Sequence, residues 1–194
     1  MNILDEQYWN VRHQNEDTPW KLDVASPALT HYIDQIGDRT KSILIPGAGH
    51  YHEAAYLLEK GFTDITICDI SPYAINKIKS ELPESSAIKY YVGDFFNING
   101  SFDLILEQTF FCALNPDLRI RYVDKMVELL SQNGTLAGLL FASHFQKAGP
   151  PFGGDIEEYK TLFGKKLYIL SIDMCYHSIP PRQGNELFFI CKKL

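Results

Sequence analysis

No run of basic residues interrupts this 194-residue chain, and 24 Asp and Glu outnumber 18 Lys and Arg, for a formal net charge of −6. An acidic surface without a basic stripe repels a phosphate backbone, so no nucleic acid partner is expected. No apolar run approaches the ~20 residues that span a bilayer, so no membrane partner is expected either. The opening "MNILDEQYWN" has no basic stretch leading into an apolar one, so it does not read as a secretion signal. The four cysteines, Cys68, Cys112, Cys175 and Cys191, show no CxxC or other metal-like spacing. Most sit in or beside apolar runs, where a free thiol behaves as a small hydrophobe. That usage favours a reducing cytoplasm. Six scattered histidines supply no set of three or four zinc ligands, so no metal is expected. Repeats and low-complexity segments are absent too.

What is there is an alternation of periods. "SILIP" (42–46) reads as a short buried strand and "EAAYLLEKG" as a helix stopped at Gly61. "DITICD" (64–69) is a second strand. Ser71-Pro72 then gives a cap and a first-turn proline for the helix "YAINKIKSEL". "IKYYV" and "FDLIL" are the third and fourth strands. Asn115-Pro116-Asp117 opens a helix that places Leu118, Tyr122, Met126 and Leu130 on one face. "TLAGLLF" follows the Asn133-Gly134 turn, "DIEEYKTLF" is a short helix, and "LYILSID" and "ELFFIC" are the last strands. The pattern predicts an α/β, Rossmann-like sheet of seven mostly parallel strands with helices on both faces. The last strand is expected to run antiparallel at the sheet edge. Length predicts one domain, 1–194, with a lid segment to residue 40 and a core from 41.

"LIPGAGHYHEAA" (44–55) resembles the glycine turn of a dinucleotide fold, but His52 stands where the third glycine belongs. Gly47 and Gly49 would let a ligand approach the backbone. Asp69, twenty residues on at the end of the second strand, can accept from ribose hydroxyls. These features fit NAD and S-adenosylmethionine alike. The bulk of His52 disfavours a pyrophosphate, and "VGDFF" puts Asp94 and Phe95 where an adenine amino group and ring can be met. His50 and His52 are expected at the start of the first core helix, partly exposed near the cofactor's amino-acid end.

"YWNVRHQNEDTPW" (8–20), "LIPGAGH", "CDIS", "GDFF", "FDLILEQTFFCALNPDLR" and "GPPF" together, in order, resemble the thiopurine S-methyltransferase family, and especially its plant-type thiol and halide ion branch. The resemblance implies a class I methyltransferase fold using S-adenosylmethionine, without a metal. It implies cofactor contacts from Trp9 and Trp20 in an N-terminal lid, from Gly47, Ala48 and Gly49 in the turn, from Asp69 and Ile70, and from Asp94 and Phe95. Gln108 stands where the family has Arg or Tyr beside the cofactor. Phe111, Cys112, Pro151, Phe152 and Arg182 are implied for the acceptor pocket. Of Phe110 and Phe111, one is expected in the core. No catalytic base is assigned; Gln108 and Arg182 are the candidates near the chemistry.

The function so implied is methyl transfer to a small molecule, a thiol or thiolate or a halide, by a cytoplasmic monomer. Two other readings stay open at this level: an S-adenosylmethionine-binding module without activity, and an NAD-dependent oxidoreductase.

Overall fold

Alternation with period two along the first strands sends their side chains into two separate cores. In the computed structural model, which describes residues 4–146 and 148–193, these strands are β1 (Ser42–Pro46), β2 (Asp64–Asp69), β3 (Ile88–Val92) and β4 (Phe102–Glu107). The first three residues of the expected lid lie outside the described residues. Ile43, Ile45, Ile65, Ile67, Leu104 and Leu106 face one side. There they pack on Leu29 and Ile33 of α2 (Pro27–Asp34), Leu57 of α3 (His52–Glu59), and Ile75 and Ile78 of α4 (Pro72–Glu81). Leu44, Cys68 and Ile105 face the other side, against Tyr122, Met126 and Leu129 of α5 (Arg119–Leu129) and Tyr159 and Phe163 of α6 (Ile156–Phe163). Each such aliphatic side chain, buried, contributes roughly 1.5–3 kcal/mol.

The remaining strands are β5 (Leu130–Phe141), β6 (Tyr168–Met174) and β7 (Glu186–Lys192), and the sheet order is β3-β2-β1-β4-β5-β7-β6. Seven strands, mostly parallel, with helices on both faces agree with the sequence reading. The expected place of the last strand does not: β7 is antiparallel but interior, between β5 and β6, and β6 forms the edge. Burial decides between them. Leu187, Phe189 and Cys191 of β7 are buried, whereas Tyr168, Leu170 and Met174 of β6 tolerate exposure. Asp173 and a register shift between Ile169 and Ser171 blunt the exposed edge.

The start signals work locally. Ser71 Oγ accepts from Ala74 N–H (3.1 Å), with Pro72 in the first turn of α4. Asn115 Oδ1 accepts from Asp117 N–H (3.0 Å), but the chain first makes a 3-10 turn over Pro116–Leu118, and α5 begins at Arg119. That tightening moves Leu118 off the buried face shared by Tyr122, Met126 and Leu130 and towards the cleft described below. The N-terminal helix α1 (Glu6–Gln14) packs on α4. Asn10 Oδ1 joins them by accepting from Ser71 Oγ (2.9 Å) and Tyr73 N–H (3.0 Å). No helix among the described residues is long and apolar enough to cross a membrane.

Candidate active site

The carboxyl ends of β3, β2, β1 and β4 lie side by side, where open α/β sheets place their ligands. A cleft of about 650 Å³ opens there, in the size range of small-molecule sites. Gly47, at the end of β1, has φ +57°, and Phe110 packs straight onto its Cα face: a Cβ added at Gly47 would stand 2.8 Å from Phe110 Cγ and 3.0 Å from its Cβ. At the end of β2, Asp69 is 6% exposed. Its Oδ2 accepts from Gly49 N–H (2.9 Å) and its Oδ1 from Ser71 N–H (2.8 Å). Each carboxylate oxygen keeps acceptor capacity beyond those bonds. Burial pushes the Asp69 carboxyl up to about 6, against the pull of these N–H donors. Past β3, Asp94 Oδ1 caps a 3-10 turn through Phe96 N–H (2.9 Å), and Phe95 presents a ring edge-on to Phe110 at 5.0 Å.

The far wall follows β4. Thr109 has φ +59°, a left-handed backbone that a β-branched residue rarely takes, and it lines the cleft beside Phe110 and Cys112. Pro150 and Pro151, joined by a cis peptide bond, line the cleft together with Phe141, Arg182 and Asn185. The N-terminal segment forms the roof. Trp9 and Trp20 meet edge to face at 5.6 Å, and the Arg12 guanidinium lies 4.7 Å over the Trp20 ring. Arg182 Nη2 donates to the Trp20 carbonyl (2.8 Å) while Nη1 bonds buried Glu186 (3.3 Å). One side chain thus ties roof to floor across 162 residues of chain.

Of the residues singled out in the sequence, Trp9, Trp20, Gly47, Asp69, Ile70, Asp94, Phe95, Cys112, Pro151 and Arg182 converge on this cleft. Five do not line it. Phe111 is in the core at 1% exposure, edge-on to Tyr122 (5.0 Å) and Tyr159 (5.8 Å), so Phe110 is the cleft residue of the pair. Phe152 turns away, and its N–H donates to the Cys112 carbonyl (2.7 Å), which pins the proline wall to the turn after β4. Ala48 N–H extends the β1–β2 pairing to the Cys68 carbonyl (3.1 Å). Gly49 serves Asp69 rather than the cleft surface. Gln108 is half-buried and does not line the cleft, and its Oε1 has no hydrogen-bond partner among the described residues. Arg12, His13, Thr109, Arg121 and Asn185 line the cleft and were not singled out. Only "VRH" in the N-terminal segment carried a signal for the first two.

Three of the six histidines lie at or behind the cleft. His52 does open α3, and His50 and His52 border a smaller hollow behind the glycine turn, with Lys21, Asp23 and Lys77. His13 reaches the cleft itself, its ring 5.9 Å from His50 and 6.0 Å from Trp20. Burial first, then Lys77 and Arg12, pull His13 down to about 4; burial and its neighbours do the same to His50. Both rings are therefore neutral at pH 7. Between about 6.5 and about 4 the unfolded chain takes up protons that the folded chain refuses. His13 alone should then remove up to about 1.4 kcal/mol of stability per pH unit as pH falls through that window. Denaturant unfolding of wild type and His13→Phe from pH 7 to 5 checks this: the wild type should weaken relative to the variant, and parallel curves would contradict it.

Cys112 is no nucleophile in this setting, since burial, with Glu107 nearby, holds its thiol far above the usual range. Among the described residues one trio, His144, Asp155 and Glu158, brings ligand atoms within 4.8 Å of one another, but it is largely exposed and Arg119 already bonds Glu158.

The family model described as thiopurine S-methyltransferase matches residues 4–186. Thiocyanate methyltransferase 1 of Arabidopsis thaliana is 28% identical over 198 residues, covering 98% of this chain and 86% of its own. Thiopurine S-methyltransferase of Acinetobacter baylyi is 24% identical, over 84% of this chain and 85% of its own. Among solved structures, the 1,6-didemethyltoxoflavin-N1-methyltransferase of Burkholderia thailandensis, with its substrate and S-adenosylhomocysteine bound, superposes with a TM-score of 0.78 at 17% identity. It covers 97% of this chain and 86% of its own, and it supports the fold.

Proposed function

The chain belongs to the thiopurine S-methyltransferase family, and from that premise we propose that it moves a methyl group from S-adenosylmethionine to a small thiolate or comparably soft anion. The observation that carries this reading is the convergence of Gly47, Asp69 and Asp94 on one aromatic-walled cleft. The residues fit the cofactor. Gly47 lines the cleft without a side chain and leaves room for Phe110, Asp69 offers free lone pairs to a ribose, and Asp94 with Phe95 offers an acceptor and a ring to adenine. In this reading the segment up to residue 40 is a lid on a core that starts at 41, and the protein works as a cytoplasmic monomer.

When bound, S-adenosylmethionine supplies an electrophilic methyl on a sulfonium. The chain's own part is alignment, which lowers the barrier by several kcal/mol or more. Trp9, Trp20 and Phe110 give π-faces towards a cation, worth roughly 0.5–2 kcal/mol. Pro150, Pro151 and Phe141 dry the acceptor end, and Arg182 with Asn185 supplies its polar contacts. The acceptor's own ionisation replaces a general base, because a thiol of pKa about 8.5 is already partly thiolate at neutral pH.

Labelled S-adenosylmethionine assayed against hydrosulfide, small and aromatic thiols, thiopurines, thiocyanate and iodide tests the proposal. Turnover of a thiol is expected, rising with pH through the acceptor's own pKa, while iodide, if turned over, should give a flat profile above pH 7. S-adenosylhomocysteine binding without turnover of any acceptor would reduce the protein to a binding module. Binding of NAD in its place would remove the reading altogether.

A further inference from the structure

Glu107 ends β4 as a fully buried carboxylate that faces neither cleft nor solvent. Three donors converge on it. Oε1 accepts from Phe110 N–H (2.8 Å) and Phe111 N–H (3.0 Å), and Oε2 accepts from Tyr122 Oη–H (2.7 Å). The first two bonds close the turn in which Thr109 holds φ +59° and from which Phe110 is laid on Gly47. The third fixes Tyr122, whose ring lies 6.0 Å from Phe95 and 6.2 Å from Phe110. On β5, Gly138 leaves the room Glu107 needs, since a Cβ there would stand 2.5 Å from Glu107 Cβ.

We propose that Glu107 is a positioning residue for the cofactor cleft, acting through the 107–111 turn and through Tyr122 to set Phe110 and Phe95 without touching either ligand. The inference rests on the cofactor reading of the cleft. An apolar residue would fill this core more favourably than a buried carboxylate, and no cation is among its hydrogen-bond partners. What the carboxylate offers instead is two acceptor oxygens for three donors, with bonds to N–H and O–H roughly twice as strong as neutral ones.

Burial pushes the Glu107 carboxyl up to about 7, against the three donors. The titratable groups beside it are Tyr122 from α5 and Cys112 from the next turn, with Cys191 of β7 beyond them near Tyr122, all held protonated by burial at neutral pH. Below about 7 the added proton takes the charge off the acceptor of the two turn N–H groups, and a proton on Oε2 turns the Tyr122 hydroxyl from donor to acceptor, so the hold on the turn and on Tyr122 weakens. Ionised Glu107 therefore favours the shaped cleft, while the folded apoprotein prefers the protonated form relative to the unfolded chain.

Calorimetric titration of wild type and Glu107→Gln with S-adenosylhomocysteine from pH 5 to 8.5, with apoprotein melting alongside, tests this. In the wild type, affinity should fall on acidification through two overlapping titrations, the upper step near 7 from Glu107 and the lower near 6 from Asp69. Glu107→Gln should lack the upper step, bind about tenfold more weakly at pH 8, and yet melt higher than wild type at pH 8, with the gap closing towards pH 6. Tyr122→Phe, which removes one donor, should move the upper step to higher pH. An upper step that survives in Glu107→Gln, or equal affinities at pH 8, overturns the inference. No binding by the wild type at any pH overturns the cofactor reading instead.

Discussion

Replacing Asp69 by alanine should weaken S-adenosylhomocysteine binding by roughly 2–4 kcal/mol, about 30- to 1,000-fold in dissociation constant. Two losses add. The ribose loses an acceptor in a cleft where water cannot fully substitute, and a hydrogen bond to a charged group contributes about 1.5–3 kcal/mol. Gly49 N–H and Ser71 N–H also lose their acceptor, so the glycine turn and the start of α4 slacken together. Ser71 in turn holds Asn10 of α1, so slackening there reaches the roof. The pH dependence has a definite sign. With its carboxyl raised to about 6, Asp69 is ionised at neutral pH and takes up a proton as pH falls through about 6, so cofactor affinity should drop there. The same raised value means that ionised Asp69 lowers the stability of the empty protein above about 6. Asp69→Asn should therefore bind weakly, show no step near 6, and melt no lower than wild type at pH 7. Titration calorimetry with melting curves reads all three. An unchanged dissociation constant for Asp69→Ala would mean that the ribose is held elsewhere.

Legibility followed the range of the forces involved. Short-range signals read true: Ser71-Pro72 caps α4 through Ala74 N–H, and the period-two strands do send Ile43 and Leu44 to opposite cores. Signals that depend on which surface is left over did not. "ELFFIC" and "YILSID" look equally strand-like, but only the whole sheet decides that Phe189 belongs inside and Tyr168 at the edge. In the site, residues at strand ends were legible because β1, β2 and β3 fix where Gly47, Asp69 and Asp94 emerge. On the turn after β4 only Cys112 was. Thr109 adopts a left-handed backbone against its propensity, and that single dihedral exchanges the roles of Phe110 and Phe111. Glu107 holds the exchange in place, yet in sequence it reads as the polar end of an apolar strand. Local rules fail where a buried group holds strain beside a cleft, which is where functional sites tend to break them.

Gly47→Ala should abolish measurable cofactor binding, chiefly through a collision that no substitution elsewhere in the glycine turn shares. The left-handed backbone at Gly47 disfavours any side chain by roughly 1–2 kcal/mol. The larger effect is the collision. A methyl here would crowd not just the tip of the Phe110 ring but its Cγ and Cβ, so turning χ2 does not relieve it. The ring would have to leave, or β1 and the 107–111 turn would have to separate. Either movement displaces Phe110 from Phe95 and opens the cleft wall. Gly49 makes the contrast, because it shares the positive φ but an added Cβ there meets nothing nearer than a His13 ring atom at 3.5 Å. Gly49→Ala should thus show the backbone penalty with a smaller loss of binding. Adding Phe110→Ala to Gly47→Ala separates the terms. If the collision dominates, the double variant should recover most of the melting temperature lost by Gly47→Ala, an interaction energy of the kind contacting residues show. It should still bind S-adenosylhomocysteine weakly, because the ring that shaped the cleft is gone. Additive losses in the double variant would mean that Phe110 and Gly47 do not meet in solution.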